Sequence, residues 1–280
     1  MTRRQALVWI RARLAEAGFS PAQAEAESRQ LLAWALKVEG PELWLGANLP
    51  LEPAPRERIE AALARRLAGE PLQLVLGSAV FYGLELALEP GVLVPRPETE
   101  GLVERALALL DDLGAPNPRV LDVGTGSGAI ALALKHARPA ARLLATDTSP
   151  VAVRLARENA RRLGLEIEVR QASLTGPYRE LDLIVANPPY LPTGYRARAP
   201  RELAWEPDDA LYAGPDGLAV ARPLAHRAAH ALRPGGALAL ELDPGNVALL
   251  AEEAERLGFR ELRIEADLSG RPRYLLARRG

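Results

Sequence analysis

The sequence predicts an α/β protein: a mostly parallel sheet covered on both faces by helices, preceded by a small all-α domain and joined to it by a β-hairpin. Three observations predict this. From about residue 119, apolar runs of strand length alternate with stretches of helical period, the pattern of βαβ units. Residues 1–75 show helical period alone. Between them, residues 76–95 switch to short alternating runs broken by Gly83.

Composition bounds the function. The 280 residues are 48% hydrophobic and 25% charged, an ordinary core-forming balance. A net charge of −1 gives no basic field for nucleic acid. The absence of cysteine excludes disulfides, zinc–thiolate sites and thiol nucleophiles. No apolar run approaches the ~18 residues that cross a bilayer. Met1 to Gln5 lead into a helical segment carrying Arg11, Arg13 and Glu16 rather than a signal-peptide core, so the cytoplasm is the expected compartment.

Taken in order, the first helix starts at Thr2 with Gln5 and the second at Ser20-Pro21 with Gln23; both read as capping boxes. Gly18 separates them. Leu7, Ile10 and Leu14, then Leu31, Leu32, Ala35 and Leu36, recur at helical spacing, and Trp9, Trp34 and Trp44 are expected in the same core. With about ten basic and nine acidic side chains, this segment is not a nucleic-acid surface. The Arg65-Arg66 and Arg161-Arg162 pairs read as solvated helix faces, and Arg278-Arg279 as a disordered end. Val80-Phe81-Tyr82 and Leu84 to Leu88 flank Gly83 as a hairpin. The polar, stiff Pro95-Arg96-Pro97-Glu98-Thr99-Glu100 opens a helix, where proline and acids are favoured.

Strands are then expected at 119–123, 142–147, 166–171, 181–186, 236–242, 260–266 and 272–278. Helices are expected near 128–137, 149–163, 217–232 and 245–257. Residues 191–216, which carry Pro192, Gly194, Pro200, Pro207 and Pro215, form the longest irregular stretch, the kind of loop that is functional or mobile.

Three motifs carry chemistry. Val120-Leu121-Asp122-Val123-Gly124-Thr125-Gly126-Ser127-Gly128 is a strand, a glycine-rich turn and a helix start. Its glycines allow a tight turn and let a ligand lie against bare backbone, and the helix start presents free N–H groups. The spacing is neither the dinucleotide fingerprint nor a Walker loop. Asp122 is placed to accept from the loop or from a ligand ammonium. Asp147 ends the second strand about 20 residues on, where such sheets bind ribose hydroxyls; Ser149-Pro150 already caps the next helix. Asn187-Pro188-Pro189-Tyr190 follows the apolar run Leu181 to Ala186. Two prolines fix φ and remove two donors, and Asn187 is pushed to an extended conformation. Such a corner suits a planar NH2 group: two oxygens accept its hydrogens while the Tyr190 ring lies near its face. A loop with a capping Asn is the plain alternative. His226 and His230, four apart on a helix, lack a third ligand, and no metal is expected.

Together these features resemble the class I S-adenosylmethionine-dependent methyltransferases, whose fold is a Rossmann-like seven-stranded sheet. Asn-Pro-Pro-Tyr narrows the resemblance to enzymes acting on planar nitrogens: amide, N6-adenine or N4-cytosine. Pro71-Leu72-Gln73-Leu74-Val75-Leu76-Gly77, Val94 to Glu100, and Glu206-Pro207 through Gly214-Pro215-Asp216-Gly217-Leu218 resemble the peptide chain release factor N5-glutamine methyltransferases, from about residue 5 to 278. The resemblance implies a helical substrate-recognition domain at 1–75, a hairpin linker at 76–95 and a methyltransferase domain at 96–280. It implies that Gly124, Thr125, Gly126, Ser127 and Gly128 hold the methionine part of S-adenosyl-L-methionine and Asp147 its ribose. Where the family has an acid near the adenine, this chain has Gln171-Ala172-Ser173-Leu174, so Ser173 or Leu174 would serve; where the family shows Glu-Ile-Gly, it has Glu241-Leu242-Asp243. Asn187 would touch both cofactor and substrate; Asn187, Pro188 and Tyr190 would be catalytic, and Asn187, Pro188, Pro189 and Tyr190 would grip the glutamine of the Gly-Gly-Gln loop of a class 1 release factor. Arg96, Pro97, Glu98 and Thr99 would close over the site. A monomer without stable nucleic-acid binding is expected; the competing activity is methylation of adenine or cytosine.

Overall fold

The computed structural model describes residues 1–280 as two compact units, Met1–Gly77 and Ser78–Gly280. The first is all helical: α1 (Arg3–Glu16), α2 (Pro21–Leu36), α3 (Gly40–Leu45), α4 (Pro53–Leu67) and α5 (Leu72–Leu76). Thr2 and Gln5 form the full reciprocal capping box. Ser20 caps α2 through Gln23 N–H, but the Gln23 amide turns to donate to Glu27 at 2.9 Å, so the second start is a simple cap. Ile10, Leu14, Leu31, Leu32, Ile59 and Leu63 make the core.

Two expectations fail here for physical reasons. Arg66 is no solvated residue: it is 2% exposed, forks onto Glu27 at 2.7 and 2.9 Å, and stacks 4.5 Å over Phe19. A guanidinium can enter a core when a carboxylate matches its fork and a ring covers its face. Arg65 stays half exposed and pairs with Glu70. Trp34 packs on the core and donates to Leu76 O at 3.1 Å, but Trp44 is 58% exposed, with the Arg29 guanidinium 5.2 Å over its ring.

The second unit opens with the hairpin β1 (Ser78–Phe81) and β2 (Leu84–Ala87), turned by Tyr82 and Gly83 at φ 50° and 76°. Two successive positive φ values match the strand twist, and glycine at the second suits this turn. Phe81, Leu84 and Leu86 sit in this unit's core. Then follow α6 (Pro97–Leu113), β3 (Arg119–Val123), α7 (Ala129–Ala137), β4 (Arg142–Asp147), α8 (Pro150–Leu163), β5 (Glu168–Gln171) and β6 (Leu181–Ala186). After two 3-10 turns, Thr193–Arg198 and Arg201–Trp205, come α9 (Asp208–Leu211), α10 (Ala221–Ala231), β7 (Leu232–Glu241), α11 (Val247–Arg256), β8 (Phe259–Ala266) and β9 (Pro272–Arg279). Arg278 and Arg279 are not disordered; they close β9, paired with Arg260 and Phe259.

The seven strands run in the order β5-β4-β3-β6-β7-β9-β8, parallel except for β9, which is antiparallel to both neighbours. β6 is buried along its whole length, as a central strand covered on both faces must be. Its one acid, Asp182, is satisfied by Arg119 N–H at 2.7 Å and the Arg233 guanidinium at 2.6 Å. The chain winds outward through β3, β4 and β5, then returns to lay β6 against the other side of β3. This reversal leaves a crevice at the carboxyl ends of β3 and β6, the position where open α/β sheets bind ligands.

Candidate active site

The glycine-rich turn leaves β3 at that crevice. Gly124, Gly126 and Gly128 have φ of 73°, 56° and 88°, which is why glycine is needed at these positions. Gly124 N–H and Thr125 N–H donate to Thr146 O at 2.8 and 3.0 Å, and Gly128 N–H donates to Thr125 O at 2.8 Å. Gly126 N–H donates to Asp147 at 2.9 Å. The turn's own donors are therefore largely spent within the protein, and at the start of α7 the Ala131 N–H is engaged by Asp122. With those N–H groups engaged, the turn offers a ligand bare backbone rather than an anion hole.

Asp122 proves to serve the loop. One oxygen accepts from the Thr125 hydroxyl at 2.6 Å and Ala131 N–H at 3.2 Å; the other is buried without a partner. Burial pushes its carboxyl up to about 7, against the pull of those two donors. Asp147 takes Gly126 N–H on one oxygen and Ser149 N–H on the other at 2.9 Å, while Ser149 itself caps α8. Each Asp147 oxygen keeps a second lone pair.

Gly124, Gly126, Asp147, Ser173, Leu174 and Asn187 all line one cavity of about 410 Å3, a size suited to a small-molecule site. Thr125, Ser127 and Gly128 do not line it; the Ser127 carbonyl accepts from Asn159 at 2.9 Å. A second cavity of about 240 Å3 is lined by Arg96, Asn187, Pro188, Pro189 and Tyr190. Asn187 and Pro189 belong to both walls. Pro97 and Glu98 line neither; they form the first turn of α6, where the Glu98 carbonyl accepts from Tyr274 at 2.6 Å. Thr99 reaches the site indirectly, accepting from Asn187 Nδ2 at 3.0 Å.

The 191–216 stretch is not irregular. Its 3-10 turns and α9 fold back so that Leu191 bridges Tyr212, and Tyr195, Leu203 and Leu211 wall the second cavity. Glu206, its side chain wholly buried, pairs with Arg96 and accepts from Val94 N–H at 2.9 Å. Asn246 donates to Tyr190 O at 3.1 Å and to Asp216 O at 3.3 Å. Glu241, fully buried at the end of β7, lies 3.5 Å from the Tyr190 hydroxyl. Burial raises the Tyr190 hydroxyl well above its ordinary value, with Glu241 adding to it. Sequence reasoning assigned no role to Glu206, Glu241 or Asn246. The available signal was a lone acid closing the apolar run Ala237 to Leu240, since a carboxyl is seldom buried without a task.

Residues 5–77 match the PrmC N-terminal domain and residues 104–200 the Methyltransferase small domain. A release factor glutamine methyltransferase of Deinococcus radiodurans is 46% identical over 284 residues, covering 100% of this chain and 99% of that one. The chain belongs to the release factor glutamine methyltransferase family. A second family member, from Moorella thermoacetica, is 43% identical with the same coverage. Among solved structures, the hMettl16 catalytic domain shares the fold at 18% identity and TM-score 0.57, covering 81% of each chain. A T. thermophilus 16S rRNA methyltransferase solved with AdoMet and guanosine does so at 23% identity and TM-score 0.54, covering 72% of this chain and 50% of that one. No helix is long and apolar enough to cross a membrane.

Proposed function

We infer that this family member transfers a methyl group from S-adenosyl-L-methionine to the side-chain amide nitrogen (N5) of the glutamine in the Gly-Gly-Gln motif of class 1 release factors, giving N5-methylglutamine and S-adenosylhomocysteine. The observation that carries the reading is Asn187 on the wall shared by two cavities, one glycine-lined and one proline-lined. A transferase needs two reactants meeting at one point, and this residue faces both.

The glycine-side cavity fits the cofactor in size and in chemistry. The Asp147 carboxyl, with a lone pair left on each oxygen, suits a diol. Gly124 and Gly126 would lie against the methionine part, Asp147 would accept from the ribose hydroxyls with its remaining lone pairs, and Ser173 and Leu174 would flank the adenine. When bound, this cofactor supplies an electrophilic methyl on a sulfonium.

The proline-side residues then prepare the nucleophile. An amide nitrogen is weakly nucleophilic because its lone pair is delocalised into the carbonyl. Asn187 Oδ1 and the Pro188 carbonyl would accept its two N–H bonds, favouring a pyramidal nitrogen held in line for attack. Tyr190 would pack on its face, Pro189 would stiffen the bend, and Arg96 would sit on the rim, fixed by Glu206. Positioning and fixed dipoles supply the acceleration. No strong base is needed beforehand, since the methylated nitrogen is acidic and sheds its proton readily. We propose residues 1–75 as the recognition domain for the release factor, with Pro97, Glu98 and Thr99 closing the site. In the test, purified release factor, tRNA, rRNA and DNA are offered with labelled cofactor. Label on release factor alone supports the reading; label on nucleic acid alone overturns it.

A further inference from the structure

The proline-side cavity takes its walls from two segments far apart in the chain. Leu93 and Arg96, just ahead of α6, belong to one; Tyr195, Pro200, Glu202, Leu203 and Leu211 belong to the other. Glu206 joins the two. Its side chain is 0% exposed. One oxygen accepts from the Arg96 guanidinium, and the other accepts from Val94 N–H at 2.9 Å. Burying a carboxylate is unfavourable unless it is both paired and hydrogen-bonded, and the opposite segment meets both conditions here. Arg96, by contrast, keeps 28% of its side chain exposed and lines the cavity. A guanidinium carries five N–H donors, more than Glu206 can take, so donors remain for an occupant.

The charge balance says what kind of occupant. Arg96 and Glu206 cancel, and the other charged side chain lining the cavity, Glu202, is an acid. An anion gains nothing there, whereas neutral carbonyl oxygens still find donors. The side-chain carbonyl of the glutamine is the wrong acceptor, because a donor on it would deepen amide resonance and oppose a pyramidal nitrogen. Main-chain carbonyls remain. Those of glycines are the easiest to reach, since no Cβ stands in the way.

We propose that Glu206 is a positioning residue for the substrate loop: it holds the Arg96 guanidinium on the cavity wall, where Arg96 donates to the main-chain carbonyls of the two glycines that precede the glutamine. The inference rests on the proposed reading of the Gly-Gly-Gln loop as substrate. Methyl transfer itself asks nothing of those glycines; close approach of a fixed guanidinium does.

The test uses the full chain with purified release factor, and steady-state kinetics are read beside cofactor binding by calorimetry. Glu206→Gln keeps the size of the side chain but sets an amide NH2 against one of its two donors. Arg96 then loses its anchor. KM for release factor should rise about tenfold, with kcat and the cofactor Kd each within about threefold of wild type. Arg96→Ala should raise KM by a similar factor, and the double variant should be no worse than Arg96→Ala alone, because Glu206 acts through Arg96. A general loosening of the fold would instead lower kcat and add to the Arg96→Ala effect. The glycines have their own arm: release factor carrying alanine in place of the glycine next to the glutamine should raise the wild-type KM about tenfold and the Arg96→Ala KM little. If Glu206→Gln proves unfolded by circular dichroism, Glu206→Asp, which keeps the charge and shortens the reach, is read by the same split. An unchanged KM in a folded Glu206 variant, an additive double variant, or equal losses by both enzymes on the altered release factor overturns the proposal. A wild type that methylates no release factor overturns instead the functional reading beneath it.

Discussion

At the scale of single residues, holding the cofactor and activating the amide fall to different side chains. Asn187→Ala should lower the methylation rate about 10²- to 10³-fold and leave cofactor affinity within about an order of magnitude, because it removes an acceptor that matters chiefly as the nitrogen pyramidalises. Single-turnover assays beside calorimetry check both halves. Asp147→Ala should do the reverse. It strips the Gly126 and Ser149 N–H groups of their acceptor, and cofactor affinity should weaken by about 1–3 kcal/mol, read as a raised Kd. Both residues were legible in the sequence, since an acid ending a strand and an Asn-Pro-Pro turn are local signals. Arg66 and Trp44 were not. Helical spacing does not say whether an arginine meets a carboxylate 39 residues away, nor that the short α3 turns its tryptophan outward.

At the scale of elements, the site depends on how the Asn-Pro-Pro-Tyr corner is tied to the segment that follows it. Gly217 has φ 76°, and a Cβ there would stand 2.1 Å from Tyr190 O and 2.7 Å from Asn246 Nδ2. Gly217→Ala should therefore displace the corner, costing roughly 1–3 kcal/mol of stability and lowering kcat; denaturant titration with an activity assay measures both. Asn159 performs a comparable task for β2. It accepts from Ala87 N–H at 2.8 Å and donates to Ala87 O at 3.1 Å and Ser127 O at 2.9 Å, tying the hairpin strand to the glycine-rich turn. The main elements were readable because β3, β4 and β6 are apolar runs with sharp ends. The 191–216 segment was not, because its order comes from pairing of Leu191 with Tyr212 and from Glu206 reaching Val94, contacts with no periodic trace in the sequence.

At the scale of the whole molecule, pH acts through buried acids. The Asp122 carboxyl is raised to about 7, so its folded pKa lies above that of the unfolded chain. The stability linked to this proton is present below the ordinary carboxylate range and is lost as pH rises to about 7. Asp122→Asn keeps an acceptor for Thr125 and Ala131 but carries no charge. Its melting temperature should gain on wild type between pH 5 and pH 8, as paired thermal melts would show. Removing residues 1–77, a unit with its own core, should spare cofactor binding and abolish methylation of intact release factor. The sheet order and both cavities emerge only when the strands assemble; local chemistry named the glycine turn, Asp147 and Asn187, the family resemblance added Arg96, Ser173 and Leu174, and Glu206, Glu241 and Asn246 left no local mark. The central claim is that the amide nitrogen of one glutamine receives the methyl. Fragmentation mass spectrometry of release factor incubated with this protein and S-adenosyl-L-methionine tests it most directly. The account predicts one added methyl on the side chain of the Gly-Gly-Gln glutamine, and a methyl on any other residue, or none, would contradict it.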